Sequence, residues 1–315
     1  MRGDSVWNLS AWPVVSFACL VGLTLPLWAV AIGGREGPVA WLLDLAAHWQ
    51  WLFVAGLLAS VAASARRDRR WLMPLLALPL PLLTGASPAP SVTAQVPSAS
   101  PFTVASANVG LGWRDPGPLL AWLRDQDVDL LVLVEVSTAF AGALQWEPGY
   151  PHRVVEPQDG PFGIAVLSRH PLRGARLVRD ADGIPHLLVE TDWQGQPVSV
   201  AAVHPMPPLS PQFHAARDHR LTELARGIAG DPRPGIVAGD LNATPWSSAL
   251  LSLPELGLRR ATGLAPTWPS AFGGWFGIPI DHVLVTPGWR VVDRARGPAF
   301  GSDHLPVLVR LHLQD

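Results

Sequence analysis

Three apolar stretches open the chain, and an alternation of short apolar and polar segments follows them. The first stretch is uncharged from Trp12 through Gly33. A second runs from about Ala46 to Ala63. The third, from Trp71 to Thr84, is shorter and is interrupted by Pro74, Pro79 and Pro81. A membrane span needs roughly 20 apolar residues, with about 17 tolerated. The first run qualifies, the second qualifies if His48 and Gln50 lie near an interface, and the third is marginal, although spanning helices tolerate proline better than soluble ones do. Beyond residue 101 the pattern predicts strands at 102–107, 130–135, 162–168, 186–192, 197–204, 235–239, 280–285 and 305–313. Helical patterns fall at Leu119–Arg124, Phe213–Ala229 and 247–253, the second stopped by Gly230-Asp231-Pro232. Strands interleaved with helices predict an α/β sandwich of two packed sheets.

The chain therefore divides into a membrane region, 1–86, with about three transmembrane helices, a Pro/Ser/Ala-rich linker, 87–101, and a folded domain, 102–315. Trp12, Trp41, Trp49, Trp51 and Trp71 stand at run edges, as in an interfacial aromatic belt. Arg66, Arg67, Arg69 and Arg70 lie between the second and third runs. Excess positive charge marks cytoplasmic loops, so three crossings place the N-terminus inside and the domain outside the cytoplasm. A secretory signal peptide followed by a buried helical hairpin is the alternative. The uncharged composition after Thr84 predicts a flexible-to-extended tether.

Composition adds two constraints. Cys19 is the one cysteine among 315 residues, so no intramolecular disulfide forms. Residues 102–315 hold 17 arginines, no lysine and 21 acidic residues. A protein that grips duplex nucleic acid through its backbone usually carries a basic face, so this balance lowers the expectation of a nuclease.

The candidate chemistry lies at strand ends. Asn108 follows the 102–107 strand and Glu135 ends the 130–135 strand. His204 ends the 197–204 strand. Gly239-Asp240-Leu241-Asn242, Ile280-Asp281-His282 and Gly301-Ser302-Asp303-His304 complete the set. Phosphate-ester hydrolysis needs charge neutralised, a water activated and a leaving oxygen stabilised. Carboxylates such as Glu135 suit Mg²⁺ or Mn²⁺, and Asn108 can orient a metal or phosphate oxygen without adding charge. Asp240 and Asn242, two apart on an extended segment, are expected on one face, where a carboxylate and an amide could hold a water and a phosphoryl oxygen. His304, kept protonated by Asp281, could polarise the phosphoryl oxygen or protonate the leaving group. Asp240 and His304 are expected in a polar cleft at strand edges rather than in the core. His282 is expected to point away and act structurally, and Arg217 and Arg220 to lie on a solvated helix face.

The order and wording of these clusters resemble the endonuclease/exonuclease/phosphatase superfamily from about Phe102 to Leu313. The opening Asn matches Asn108, the strand-end Glu matches Glu135, and the Asp-x-Asn, Asp-His and Ser-Asp-His motifs match Asp240 to Asn242, Asp281 to His282 and Ser302 to His304. Phe162 to Arg169 looks like the central strand. The resemblance implies a four-layer α/β sandwich, two packed mixed β-sheets flanked by helices. It also implies a divalent-metal-dependent phosphoesterase using Mg²⁺ or Mn²⁺. Glu135, Asn108 and Asp303 would serve the metal. Asp240 would act on water, Asn242 and His204 on the phosphate, and Asp281 and Asp303 would support His304 and the water. Val109-Gly110-Leu111 lacks the second acid that some family nucleases carry. The expected partners are a lipid bilayer and a phosphate-ester substrate, nucleic acid or phospholipid. A catalytically idle, membrane-tethered binding module is the alternative function. The aromatic segment Trp268 to Pro279 is either ordinary loop packing or an apolar lip that stacks on a base or sits at a membrane surface.

Overall fold

The first apolar run folds as one long helix, α1 (Ala11–Ile32), in a computed structural model that describes residues 11–32, 36–65, 68–92, 100–112, 115–144 and 147–314. Among the described residues, α1 is the one continuous helix long and apolar enough to cross a membrane, and a signal sequence has the same features. The second run breaks into α2 (Pro38–Ala47) and α3 (Gln50–Ser64), bent by 62° at His48–Trp49. The third run makes no span. It forms a 3₁₀ helix, Arg69–Ala77, and the five-residue α4 (Leu80–Thr84), because its prolines remove backbone donors at short intervals. Arg66 and Arg67, on which the expected orientation partly rests, lie outside the described residues.

α1 packs on α2 and α3, burying Leu23, Leu57 and Val61. The hairpin also docks on the domain. Trp41 Nε1 donates to the Pro208 carbonyl (2.8 Å), Trp51 Nε1 to the Leu264 carbonyl (3.0 Å) and Trp246 Nε1 to the Pro81 carbonyl (2.8 Å). Trp41 and Trp51, expected as belt residues, thus bond to the domain, and Trp246 of the domain bonds back to the N-terminal region. The start of the expected tether is pinned as well: the amides of Ala86, Ala89 and Val92 donate to the carbonyls of Pro245, Arg260 and Val291. Residues 93–99 lie outside the described residues.

The domain holds twelve described strands: β1 (Phe102–Asn108), β2 (Leu130–Val134), β3 (His152–Glu156), β4 (Ile164–Ser168), β5 (Arg173–Arg179), β6 (Pro185–Trp193), β7 (Gln196–Val203), β8 (Gly235–Asp240), β9 (Arg259–Arg260), β10 (Asp281–Val285), β11 (Trp289–Arg296) and β12 (Val307–Leu313). They form two mixed six-stranded sheets, β11-β12-β1-β2-β4-β3 and β5-β6-β7-β8-β10-β9. Helices α5 (Gly117–Asp125) and α6 (Thr138–Leu144) cover the first sheet, α7 (Pro211–Ala229) and α8 (Ser248–Ser252) the second. This is the four-layer arrangement expected.

The continuous apolar runs follow from this layering, since a central strand is buried on both faces. In β1, Phe102 and Val104 enter the core between the sheets while Ala105 and Ala107 pack under helices. In β2, Leu130, Val132 and Val134 face inward and Leu131 and Leu133 outward. Within each sheet one central pair is parallel, β1 with β2 and β7 with β8. Parallel pairing brings carboxyl ends together, so Asn108, the residue after β2, the residue after β7 and Asp240 all lie at one end of the sandwich.

Candidate active site

Asn108 ends β1 with its side chain wholly buried. Its Nδ2 donates to Glu135 Oε1 (2.9 Å) and Asp240 Oδ2 (3.2 Å) and lies 3.4 Å from His304 Nε2. Its Oδ1 accepts from the Gly110 amide, which fixes the orientation of the side chain. Glu135 is half-buried immediately after β2, at a left-handed φ of 61°, where the chain leaves the strand.

Asp240 ends β8 beside His204, which follows β7. His204 Nε2 is 3.5 Å from Asp240 Oδ2, and its Nδ1 contacts the Pro161 carbonyl at 3.0 Å, which only a protonated nitrogen can do. This closeness depends on Gly239. At its φ of 150° a side chain would be strained, and a Cβ would collide with the Val203 carbonyl. β10 runs antiparallel to β8 with Asp281 directly opposite Asp240. Asp281 Oδ2 accepts from His304 Nδ1 (2.9 Å), leaving His304 Nε2 3.8 Å from Asp240 Oδ2. Ser302 Oγ donates to the Asn108 carbonyl and accepts from the His304 amide, tying this loop to β1.

Electrostatics follow the geometry. Burial works against the charge on His304, but the Asp281 carboxylate outweighs it and lifts the imidazole to about 10. Burial likewise opposes charge on His204, and its bond to Asp240 raises it above the ordinary value. Asp240, resisted by burial but flanked by the two imidazoles, falls to about 2. A carboxylate thus lies between two imidazoles, and it favours the protonated form of each.

The structure brings together every residue expected at the site, though not each in the expected way. Asp240 and His304 are 2% and 5% exposed, so they belong to the interior rather than to a polar cleft edge. Asn242 reaches the same pocket as Asp240, but not by alternation along a strand. β8 ends at Asp240, Asn242 sits at φ 48°, its amide caps Asp240 Oδ1 (2.9 Å) and its Nδ2 donates to the Pro205 carbonyl (3.0 Å). The central amide is Asn108. Asp303 is exposed and accepts from Trp268 Nε1 (3.0 Å) at the rim. His282 is buried and turned away: Nε2 meets the carbonyls of Ala243 (3.0 Å) and Pro279 (3.1 Å), and Nδ1 meets the Thr262 hydroxyl (2.9 Å).

Oxygen donors fit a hard divalent cation. Glu135, Asp240 and Asp303 line one pocket of about 360 Å³ together with His204, Asn242 and His304. Ligand atoms of Asp240, Asp281 and His304 also lie within 4.8 Å of one another. In that second group the His304 nitrogen nearest Asp281 already donates to it, so Glu135 with its neighbouring oxygens is the better cation site.

The structure also connects the hairpin to the site, a link that the motif pattern does not suggest. Arg217, expected on a solvated face, is fully buried. Its Nη1 donates to the Asn242 carbonyl (2.9 Å) and its Nη2 to Asp44 Oδ2 (2.8 Å), while Asp44 Oδ1 accepts from the Ser248 amide. A signal existed: Asp44 is the one carboxylate between Glu36 and Asp68, and an isolated acid in an apolar helix requires a partner.

A family profile described as the Endonuclease/Exonuclease/phosphatase family matches residues 105–304. No curated protein matches the sequence. Solved structures are similar in fold. An endonuclease/exonuclease/phosphatase from Beutenbergia cavernae is 24% identical over 69% of this chain and 72% of that one, with a TM-score of 0.58. D. rerio TDP2 complexed with a single-strand DNA product is 15% identical over 68% and 100%, at 0.57. The Neisseria 3′ phosphatase NExo bound to a product DNA hairpin is 23% identical over 67% and 99%, at 0.53. The family match covers more than half of the chain and lies on the two-sheet sandwich that carries the Asn, Glu, Asp and His cluster, so this chain belongs to the endonuclease/exonuclease/phosphatase family, whose members are phosphoesterases.

Proposed function

We propose that the chain is a membrane-anchored, divalent-metal-dependent hydrolase of phosphate esters, using Mg²⁺ or Mn²⁺. The observation that carries this reading is the single hydrogen-bonded cluster in which Asn108 joins Glu135 to Asp240, with His204 and the Asp281–His304 pair on either side. Hydrolysis forms a bond from a water oxygen to phosphorus and breaks the bond from phosphorus to the ester oxygen. Asp240 orients the water. His204 binds a phosphoryl oxygen, and Asn108 and Asn242 hold the loops that shape the site. His304, steadied by Asp281, gives its Nε2 proton to the leaving oxygen or stabilises charge on the phosphoryl group. Glu135, with Asn108 and Asp303 nearby, would hold the divalent cation, whose charge would offset that of the phosphate and lower the pKa of water.

Helix α1 supplies the proposed anchor. One crossing or three leave the domain on the side opposite the N-terminus, and we place it outside the cytoplasm. The test is hydrolysis by the purified full chain of a soluble diester, bis-p-nitrophenyl phosphate, and a monoester, p-nitrophenyl phosphate, with and without Mg²⁺ or Mn²⁺. Metal-dependent release of nitrophenol supports the reading, and none from either ester under any metal contradicts it.

A further inference from the structure

The exposed apolar side chains of the domain are not scattered. Among its described residues the exposed large ones are Leu111, Leu209, Phe213, Phe272, Trp275 and Phe276. Leu111 lies three residues after Asn108. Leu209 and Phe213 follow His204, and the three aromatic residues lie shortly before Asp281. All six are therefore on segments that follow or precede site residues at one end of the sandwich. Single exposed apolar residues are ordinary on a protein surface, but a set confined to one face marks an interaction surface.

Phe272, Trp275 and Phe276 are 80%, 82% and 76% exposed. Their loop hangs from a stem in which the Trp268 amide donates to the Ile278 carbonyl (3.1 Å) and the Ile278 amide to the Trp268 carbonyl (2.7 Å). Trp268 and Ile278 both line the catalytic pocket. The exposed rings thus project from its rim. Aromatic rings on such a loop suit the boundary between lipid headgroups and acyl chains.

The opposite wall comes from the N-terminal hairpin. Leu45, His48 and Trp49, at the elbow between α2 and α3, line the same pocket as Glu135, His204, Asp240 and His304. Trp41, on the helix leading to that elbow, is bonded to Pro208 in the loop after His204, and Asp44 reaches Arg217 and through it Asn242. His48 Nδ1 contacts the Asp44 carbonyl (2.6 Å), and its buried Nε2 has no hydrogen-bond partner. The pocket therefore pairs an acid and histidine floor with walls of Leu45, Trp49, Pro208, Leu209 and Ile278. That lining disfavours a polyanionic strand, which needs cations along its backbone, and favours an ester with apolar bulk next to its phosphate.

We infer that this active-site face lies against the bilayer and takes the phosphate ester of a membrane lipid, with the α2–α3 elbow and the Phe272–Phe276 loop as its specificity-determining walls. The inference rests on the proposed phosphoesterase activity. Acyl chains remain among lipids and beside the elbow while the headgroup phosphate reaches the cluster. The exposed loop side chains make the lip variant Phe272→Ala/Trp275→Ala/Phe276→Ala a mild change to the core.

The test uses the full chain with Mg²⁺ on three probes: phosphatidylcholine vesicles doped with phosphatidylglycerol or phosphatidic acid, a single-stranded DNA oligonucleotide, and bis-p-nitrophenyl phosphate. The expected result is hydrolysis of a vesicle lipid, with kcat/KM at least about tenfold above that for the oligonucleotide. The lip variant and Leu45→Ala/Trp49→Ala should each lose at least about tenfold more rate on vesicles than on the nitrophenyl ester, the size expected from removing large buried apolar groups from a membrane contact. Preference for the oligonucleotide, or equal losses on vesicles and nitrophenyl ester, would overturn the lipid assignment while leaving the phosphoesterase intact. Absence of metal-dependent turnover on all three probes would instead remove the underlying activity.

Discussion

Asn108 has no charge, yet it touches both Glu135 and Asp240 and sits beside His304. It lets carboxylates approach without a second cation between them. Asp240→Asn keeps shape and removes the carboxylate, so we expect turnover to fall about 10²–10⁴-fold in a chain that still folds, with a lower melt because two imidazoles lose their counter-charge. The check is kcat on bis-p-nitrophenyl phosphate beside the melting curve, and near-parental turnover in the folded variant would remove Asp240 from the mechanism. His304→Ala should be as inactive and also less stable, because Asp281 would be left buried without its partner. Breaking such a pair costs about 3–5 kcal/mol. His304→Gln, which can still donate to Asp281, should recover part of the stability and none of the activity.

Two of the buried polar contacts between elements show what the apolar pattern does not display. Asp44 on α2 and Arg217 on α7 are 1% and 0% exposed. Arg217 also pairs with Asp218 (2.7 Å) and Asp44 also accepts from Ser248, so losing either partner leaves the other partly paired, and Asp44→Asn or Arg217→Met should lower unfolding free energy by up to about 3–5 kcal/mol. The double variant Asp44→Leu/Arg217→Met should lose less than the sum, as chemical denaturation of all three in detergent will show. The second contact is His282 on β10. Burial, with Arg260 nearby, depresses its pKa to about 3, and its Nε2–H serves two carbonyls in the neutral form. Its folded pKa lies below the unfolded value of about 6.5. Its contribution to stability is therefore complete above that pH and is lost as pH falls toward 3. Denaturant midpoints measured from pH 7 to 4 should fall less steeply in His282→Asn than in the parent, and parallel curves would contradict the assignment.

At the scale of the molecule, one sandwich end collects the site, the apolar rim and the hairpin. The donor set is oxygen-rich and the domain has no thiol, so exhaustive EDTA treatment should abolish hydrolysis and added Mg²⁺ or Mn²⁺ should restore it. Undiminished activity after chelation would refute metal dependence. Sidedness is a separate question. Alkaline phosphatase fused after Ser100 should be active and a green fluorescent protein exported by the same route and fused there should be dark. The reverse pattern would place the domain in the cytoplasm.

Local pattern determined much of this protein. The eight strands expected from apolar runs are present as β1, β2, β4, β6, β7, β8, β10 and β12, because a central strand buried on both faces must be apolar along its length. β3, β5 and β11 escaped notice because they carry polar or exposed positions: Arg173, Arg176 and Arg179 in β5, and Arg290, Asp293, Arg294 and Arg296 in β11. β9, of two residues, is too short to show a period. The site residues were legible because each stands near the end or the start of an apolar run; parallel pairing of β1 with β2 and β7 with β8 carries the ends to one place, and antiparallel β10 and β12 bring their starts there. What sequence could not decide is which distant groups share a low-dielectric interior. Asn242 bonded to Pro205, Arg217 turned inward to Asp44, and Trp49 brought to the catalytic pocket all depend on long-range docking. Such contacts leave no periodic trace, because their energy comes from a partner far along the chain rather than from neighbours three or four residues away.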